Sequence, residues 1–347
     1  MSDIRPDCVS TIIPVYNRPE RLCEAVESVL AQTYRPIEIL IADDGSTDST
    51  PQVARGLTKK YEGVISYHRH DNAGPGPARE LGRIHARGEF IQYLDSDDRL
   101  LPNKFEDQVE ALRNAPEADI AYGMTRLVDD SGKVLAEPFK WTGECRQQLL
   151  PGLLVDRWWC THTPLYRRSL TDRIGAWSDL RWSQDWEYDS RAAALCANLA
   201  WCGSMVSEHV HHFEDRQTSA NSAVWRTDPK RLRNRIELLT ALASAAEAAN
   251  VSKDAPEARH FARWCFSISR QCLIARMPAE ALRVCEIAVS ATLPHTDRSI
   301  SLYSAALRYV GPGLTRRVAQ IVERLSSGSG KHSMRQSFDG QVEHPVS

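Results

Sequence analysis

Short apolar runs alternate with segments of helical periodicity over the first hundred residues of the chain. Four runs are apolar and rich in β-branched residues, which is typical of buried strands: residues 9–14, 37–42, 64–67 and 90–94. A helical pattern starts at Pro19, a residue suited to the first position of a helix, and another extends to about residue 86. This alternation predicts right-handed βαβ units and a parallel sheet with covered faces.

The pattern changes after residue 120. Residues 120–127 and 134–136, separated by a turn, predict a β-hairpin. From about residue 229 the sequence is helical in character and divided by prolines, and residues 261–289 predict a helical hairpin. We therefore expect an α/β domain over residues 1–225, a helical region over residues 226–325 and a disordered tail over residues 326–347.

Composition narrows the class of protein. The 347 residues are 42% hydrophobic and 25% charged, which excludes a low-complexity disordered chain or a fibrous repeat. The net charge of −2 argues against a dedicated nucleic-acid binder, so we expect no nucleic-acid partner. Residues 1–225 carry 25 basic and 34 acidic side chains, whereas residues 226–347 carry 18 and 11. The basic C-terminal region could face an anionic membrane, a lipid-diphosphate acceptor or a partner subunit, or it could be a solvated helical face.

The sequence contains no clear signal peptide or membrane span, and its cysteines show no zinc-binding or disulfide pattern. The N-terminal residues lead into no apolar signal segment, and no apolar stretch reaches the roughly 18 residues of a membrane span. The nine cysteines contain no Cys-x-x-Cys pair, so the sequence indicates neither a zinc site nor a disulfide framework. We expect a cytoplasmic protein with reduced thiols, and peripheral contact with the inner face of the membrane is an open alternative.

Acidic residues follow the predicted strands. In open α/β sheets, ligands bind beyond the carboxyl ends of the strands, and five aspartates are placed there: Asp43, Asp44, Asp95, Asp97 and Asp98. Their mutual repulsion is most simply relieved by Mg²⁺ or Mn²⁺, which would bring phosphates with it. The alternative for any single aspartate is a turn or a helix N-cap. A helix N-cap uses one acidic side chain, so Asp95, Asp97 and Asp98 together exceed what a single cap requires.

Several motifs occur in a specific order. VSTIIPVYNR (residues 9–18) is followed by IEILIADDGSTD (residues 37–48), Asn72-x-Gly74 and Ala78-Arg79, and then by GEFI (residues 88–91) and YLDSDD (residues 93–98). Together they resemble family 2 glycosyltransferases over about residues 8–220. The resemblance implies the GT-A fold, a Rossmann-like, mostly parallel sheet flanked by helices.

The resemblance also implies roles for particular residues. A first group would hold the donor nucleotide: Pro14, Tyr16, Asn17, Asp43 and Asp44. Arg79 lies where the family often has a basic residue near the donor, although a surface salt bridge is an equal alternative. Asp95-Ser96-Asp97 resembles the D-x-D motif, so Asp97 would be the principal ligand of Mn²⁺ or Mg²⁺ and Asp95 would contact ribose or metal.

The reaction also needs a base. Sugar transfer with inversion requires the acceptor hydroxyl to lose its proton as it attacks the anomeric carbon. The segment WSQDWE (residues 182–187) resembles the family's Glu-Asp-Trp motif, which makes Asp185 the base. Gln184 replaces the usual Glu, and Glu187 is a weaker candidate for the base. Alternatively, Asp185 only stabilises a helix start.

The region before the base borders the acceptor in the family. Trp158, His162 and Trp186 are candidates for acceptor binding, with core packing as the alternative. His211 or His212 is a candidate to complete the metal or diphosphate site, and a loop histidine is the alternative.

The expected activity is an inverting, metal-dependent, non-processive glycosyltransferase. It would move a sugar from a nucleotide-diphosphate donor, with UDP the commonest, to a glycan, lipid-linked or other hydroxyl acceptor in bacterial cell-surface polysaccharide or glycoconjugate synthesis. No Gln-x-x-Arg-Trp motif of processive synthases is present, and no Gly-rich loop of a nucleotidyltransferase follows the first strand. The alternative is a catalytically silent sugar-nucleotide-binding or scaffold protein that acts through its helical C-terminal region, and a homo-oligomer through that region is also open.

Overall fold

The computed structural model describes residues 4–212, 226–311, 313 and 315. The described chain divides into two compact units. Unit 1 comprises Met1–Leu149, Arg157–Tyr188 and Cys196–Gln217, and unit 2 comprises Leu150–Asp156, Asp189–Leu195 and Thr218–Ser347. The predicted boundary between residues 225 and 226 stays a prediction. The tail predicted to be disordered, residues 326–347, lies outside the described residues.

The apolar runs of the sequence form strands of one sheet in unit 1. The described strands are β1 (Arg5–Val15), β2 (Ile37–Asp43), β3 (Ile65–Arg69), β4 (Gly88–Tyr93), β5 (Arg99–Leu100), β6 (Ile120–Asp129), β7 (Val134–Phe139), β8 (Leu165–Arg167) and β9 (Leu199–His211). Their order is β3-β2-β1-β4-β8-β6-β9-β5, and β7 pairs with β6. β3, β2, β1 and β4 are parallel to one another, as are β6 and β9. β8 is antiparallel to both β4 and β6.

Helices connect the strands: α1 (Pro19–Leu30), α2 (Thr50–Lys60), α3 (Pro75–His85), α4 (Lys104–Asn114), α5 (Arg168–Ile174) and α6 (Gln184–Ala194). A proline lies in the first turn of α1 and of α3, where its missing N–H costs no helical hydrogen bond. The apolar face of α1 is buried in the core against the β-branched residues of β1 and β2. The prediction of an α/β fold with a mostly parallel sheet is therefore confirmed.

The central strands bring polar residues to one edge. All seven residues of β2 are buried, as are the last eight of β1. Because β1, β2 and β4 are parallel and in register, the residues after their carboxyl ends meet at the same edge. This edge carries the candidate donor residues.

Unit 2 is helical in its described residues. It contains a 3₁₀ turn (Gly152–Leu154) and helices α7 (Pro229–Ala248), α8 (Pro256–Ile274), α9 (Pro278–Ser290) and α10 (Arg298–Tyr309). Proline begins α7, α8 and α9. These helices confirm the predicted helical C-terminal region, and α8 packs against α9 as the predicted hairpin. None of the helices in the described ranges is long and apolar enough to cross a membrane.

A cavity of about 600 Å³ lies within unit 2, between α7, α8 and α9. Phe261 and Ile287 give it an apolar lining, and Arg283 and Glu286 give it charge. Part of the basic character of this region is neutralised internally, since Arg283 pairs with Glu237 at 3.1 Å and Arg308 pairs with Glu286 at 2.8 Å.

We expect Gly82 to be required for the packing of α3 on β1. A Cβ atom at Gly82 would lie 2.3 Å from Cγ2 of Ile12, whose β-branched side chain has few alternative rotamers. Gly82→Ala should therefore lower the free energy of unfolding of unit 1 by about 1–3 kcal/mol, as overpacked cores do. Urea denaturation followed by tryptophan fluorescence measures the change.

Gly56→Ala in α2 is the matched control, because a Cβ there would have no heavy atom within 4 Å. It should leave stability unchanged or raise it by up to about 1 kcal/mol through helix propensity. Equal effects of the two substitutions would contradict the packing account.

Candidate active site

The turns after β1 and β2 are joined by hydrogen bonds. Asn17, in a left-handed conformation with φ of 51°, donates its backbone N–H to Ser46 Oγ at 3.0 Å. Its side-chain Oδ1 accepts the backbone N–H of Thr47 at 2.8 Å. Pro14 is buried, and the ring of Tyr16 is 37% exposed. Tyr16 and Asn17 are therefore exposed on a turn whose backbone is held by hydrogen bonds.

The first aspartate pair organises the backbone around it. Asp43, fully buried, accepts the Ser46 N–H at 2.7 Å and the Tyr67 hydroxyl at 2.6 Å. Asp44 accepts the backbone N–H groups of Ala73 and Gly74 at 2.8 and 2.9 Å. Burial raises the pKa of Asp44 against these hydrogen bonds. Both acids fix the loops at the sheet edge, and their predicted contact with the donor nucleotide stays a prediction.

Arg79 connects two parts of the edge. Its guanidinium is almost fully buried, donates from Nη2 to Asp95 Oδ1 at 2.5 Å and has its Cζ 4.8 Å from the centre of the Trp177 ring. Nε and Nη1 of Arg79 have no hydrogen-bond partner within the described ranges. The guanidinium also lies close enough to Asp185 to lower the pKa of that carboxyl group. Arg79 thus pairs with Asp95, acts electrostatically on Asp185 and has unused donor capacity in the part of the chain that the structure describes.

Asp97 lies in a mixed electrostatic environment. Its carboxylate forms an ion pair with Arg18 and lies 3.8 Å from Nε2 of His212. Burial, followed by the neighbouring Asp98, raises its pKa, and Arg18 opposes the shift. His212 also pairs with Asp130 at 2.6 Å. Of the two candidate histidines, His212 is therefore the one that the structure brings to Asp97.

Asp98 is bound by two histidines. Its Oδ2 lies 2.8 Å from Nδ1 of His162, and its Oδ1 lies 2.9 Å from Nδ1 of His209. Burial alone would raise the pKa of Asp98, but the two histidines outweigh it and hold the pKa well below the ordinary value. Asp98 is therefore an ionised carboxylate whose partners differ from those of the Arg18–Asp97 pair.

Asp185, in the first turn of α6, has a cationic neighbourhood. Arg157 Nη1 lies 2.8 Å from its Oδ2, the Thr161 hydroxyl donates to the same oxygen at 3.2 Å, and the Trp186 N–H donates to Oδ1 at 2.9 Å. Burial would raise the pKa of Asp185, but Arg157 and then Arg79 outweigh it, so the pKa lies below the ordinary value. The side chain is 28% exposed. The arrangement leaves an ionised, accessible carboxylate.

The candidate acceptor residues are all buried. The side chain of His162 is fully buried against Asp98, and Trp158 and Trp186 are 5% and 4% exposed. Their predicted role in acceptor binding stays a prediction. Two other residues contact the candidate base and were not identified from the sequence: Arg157 and Thr161. The position of Arg157 directly before the tryptophans at residues 158–159 is the sequence feature that could have identified it.

The acids at the sheet edge have protein partners. Asp43 and Asp44 accept N–H and O–H groups, Asp95 and Asp97 pair with arginines, and Asp98 pairs with histidines. Repulsion among the five carboxylates therefore does not by itself require a cation, contrary to the argument from sequence. The donor set still fits one, since the carboxylates of Asp97 and Asp95 and the imidazole of His212 are ligand types that Mn²⁺ accepts.

The comparisons with known proteins agree with this geometry. Residues 10–175 match the family described as Glycosyl transferase family 2. Over 128 residues the chain is 41% identical to an uncharacterized glycosyltransferase of Rickettsia bellii, an alignment that covers 37% of this chain and 18% of that protein. The chain spans between 18% and 55% of the length of the curated relatives that it matches.

Solved structures resemble the fold more extensively. The crystal structure of S. aureus TarS 1–349 matches with a TM-score of 0.65 and 17% identity over 93% of each chain, and its complex with UDP-GlcNAc matches with a TM-score of 0.62. A mannosyltransferase of Pyrobaculum calidifontis in complex with GDP-Man and Mn²⁺ matches with a TM-score of 0.50 and 14% identity, over 99% of this chain and 88% of that one. At these identities the likeness establishes the fold. The resemblance to family 2 glycosyltransferases and the GT-A fold are therefore confirmed, with the family match confined to residues 10–175.

Proposed function

We propose that the protein is an inverting, metal-dependent glycosyltransferase that moves a sugar from a UDP-linked donor to an acceptor hydroxyl without processive polymerisation. The observation that carries the proposal is the carboxylate of Asp185, partly exposed and held ionised by Arg157 and Arg79. Arg79 also contacts Asp95 of the D-x-D motif, so the candidate base and the candidate donor site share one cation. UDP as the nucleotide is supported by the complex of the TarS neighbour with UDP-GlcNAc.

The proposed transfer begins at the acceptor hydroxyl. Its proton passes to the carboxylate of Asp185 while its oxygen forms a bond to the anomeric carbon. On the opposite face, the bond between that carbon and the diphosphate oxygen breaks, and the nucleoside diphosphate leaves with the electron pair. Because the pKa of Asp185 lies below its ordinary value, the carboxylate is ionised at neutral pH and can accept a proton.

Arg79 is placed to meet the negative charge of the leaving group. Its Nε and Nη1 groups are buried and lack hydrogen-bond partners in the part of the chain that the structure describes, an expensive condition that an anionic oxygen would relieve. In the proposed complex these groups donate to the diphosphate. Asn17 and Tyr16 lie at the turn where the nucleotide is proposed to bind, with Asp43 and Asp44 fixing the loops beneath it.

A divalent cation, Mn²⁺ or Mg²⁺, would be held by Asp97 with Asp95, and His212 lies beside Asp97. When bound, it would supply positive charge that stabilises the diphosphate leaving group. Because Arg18 pairs with the Asp97 carboxylate, donor binding would exchange this ion pair for the cation. The Mn²⁺ in the mannosyltransferase neighbour supports this part of the proposal.

The acceptor remains defined only by its hydroxyl group. A role in bacterial cell-surface polysaccharide or glycoconjugate synthesis, with a glycan or lipid-linked acceptor at the inner face of the membrane, is proposed from the resemblance to the family. The alternative of a silent sugar-nucleotide-binding protein rests on Gln184, whose side chain is buried beside the base. If the protein were catalytically silent, substitutions at Asp185 would leave its sugar-nucleotide binding unchanged and there would be no transfer activity to lose.

We expect Asp185→Asn to lower kcat by about 10²–10⁴-fold, the usual contribution of a general base, and to leave donor affinity unchanged. The assay uses the donor and acceptor that the wild type consumes fastest in a mass-spectrometric screen of nucleotide sugars. UDP titration calorimetry with Mn²⁺ reports donor binding. Glu187→Gln, in the same turn of α6, is the control and should retain most of the activity. Equal loss of transfer and donor binding in Asp185→Asn would remove Asp185 as the base.

Asp97→Asn should abolish the increase in UDP affinity that Mn²⁺ produces, because a neutral amide is a poor ligand for a hard divalent cation. Calorimetric titration of UDP with Mn²⁺ and with EDTA measures that increase. Asp172→Asn is the control, since its carboxylate is 50% exposed and belongs to a surface ion pair. Undiminished Mn²⁺ dependence in Asp97→Asn would refute the metal assignment.

A further inference from the structure

Three side chains from two distant segments of the sequence meet next to Asp98. Cys160, His162 and His209 each place one potential ligand atom within 4.8 Å of the others. Cys160 and His162 lie in the turn before β8, and His209 lies near the end of β9. The proposed transfer reaction uses none of these three groups.

The turn that carries Cys160 and His162 is held in place. Cys160 donates its backbone N–H to the Thr163 hydroxyl at 3.1 Å, and Thr163 donates its backbone N–H to the Cys160 carbonyl at 3.0 Å. His209 is fixed by the pairing of β9 with β6. The three potential ligands therefore project from two ordered segments, which lowers the cost of assembling a site.

Asp98 supplies the support that metal-bound histidines require. Its two oxygens contact Nδ1 of His162 and Nδ1 of His209 at 2.8 and 2.9 Å, and the N–H of Val210 donates to it at 3.0 Å. A carboxylate that holds two imidazoles is a recurrent feature of metal sites, where it sets the tautomer and ring orientation.

The imidazole of His162 is buried with unused hydrogen-bonding capacity within the described residues. The side chain of His162 is fully buried, and its Nε2 has no hydrogen-bond partner within the residues that the structure describes. A buried imidazole nitrogen without a partner costs free energy that a bound cation would recover. This is an observation independent of the clustering of the three side chains.

We propose that Cys160, His162 and His209, supported by Asp98, form a zinc site separate from the Mn²⁺ or Mg²⁺ site at Asp97. A thiolate with two imidazoles favours Zn²⁺, whereas the oxygen-rich set at Asp97 suits harder cations. A thiolate and the Asp98 carboxylate balance the two positive charges of the ion, so the buried cluster would be neutral. Zinc bonds of about 2.3 Å to sulfur and about 2.0–2.1 Å to nitrogen need the ligand atoms closer together than the 4.8 Å that bounds the observed cluster, so the site would contract when the ion binds. The ion would fasten β9 to the turn before β8.

The first test measures zinc in the full-length protein after loading with Zn²⁺ and dialysis. Wild type should retain about one zinc per chain, as expected for a single site of this type, and Cys160→Ala should retain none above background. Cys8→Ala is the matched control, because Cys8 is a buried thiol of the same unit outside the cluster. Asp97→Asn should keep its zinc, which distinguishes the two metal sites. Equal zinc content in wild type and Cys160→Ala would overturn the proposal.

A second test needs no variant that must fold. X-ray absorption at the zinc edge of the loaded wild type should show one sulfur at about 2.3 Å together with nitrogen or oxygen ligands. A zinc shell without sulfur would show an adventitious ion and overturn the site.

A third test uses Asp98→Asn. This substitution should weaken zinc affinity by about 10–100-fold in a competition titration with a chromophoric chelator, the usual effect of losing a carboxylate that orients the ligands. An unchanged affinity would remove Asp98 from the site.

Discussion

The ion pair between Arg157 and Asp185 is the contact on which the proposed chemistry depends. Burial raises the pKa of this carboxylate, and a protonated acid cannot accept the proton of a hydroxyl group. Arg157, with Arg79 behind it, reverses that shift and keeps the base ionised. At the sheet edge, Arg79 and Arg18 form ion pairs with Asp95 and Asp97, although burial and the neighbouring Asp98 still raise the pKa of Asp97. These arginines offset part of the repulsion among the acids, and in the proposed reaction the Arg18–Asp97 pair gives way to the cation.

Much of the fold of unit 1 could be predicted because its central strands are buried on both faces. Their apolar runs and the prolines at helix starts are local signals, and β1, β2 and β4 lie within a few residues of the predicted positions. β9 was not predicted, since its burial follows no simple alternation and its register against β6 shifts around Met124. β8 is three residues long and is defined by its antiparallel partners rather than by its own sequence.

Part of the candidate site could likewise be predicted from the sequence, and part could not. Asp43, Asp95 and Asp97 follow strand ends, so the order of apolar runs and acids along the chain is enough to place them at one edge. Their partners come from far along the chain: Arg18 reaches Asp97, and Arg157 reaches Asp185 through the turn before β8. The cluster around Asp98 was missed for the same reason, because Cys160 and His209 have no short spacing and meet through the pairing of β6 with both β8 and β9.

The pH dependence of transfer in Arg157 variants tests the central claim most directly. Arg157 lowers the pKa of Asp185, so Arg157→Gln should raise that pKa and move the acidic limb of the kcat/KM profile to higher pH. Arg157→Lys, which keeps the positive charge, should leave the limb close to that of the wild type. An Arg157→Gln profile that overlays the wild-type profile would contradict the account, because the ionisation of the base would then owe nothing to the arginine beside it.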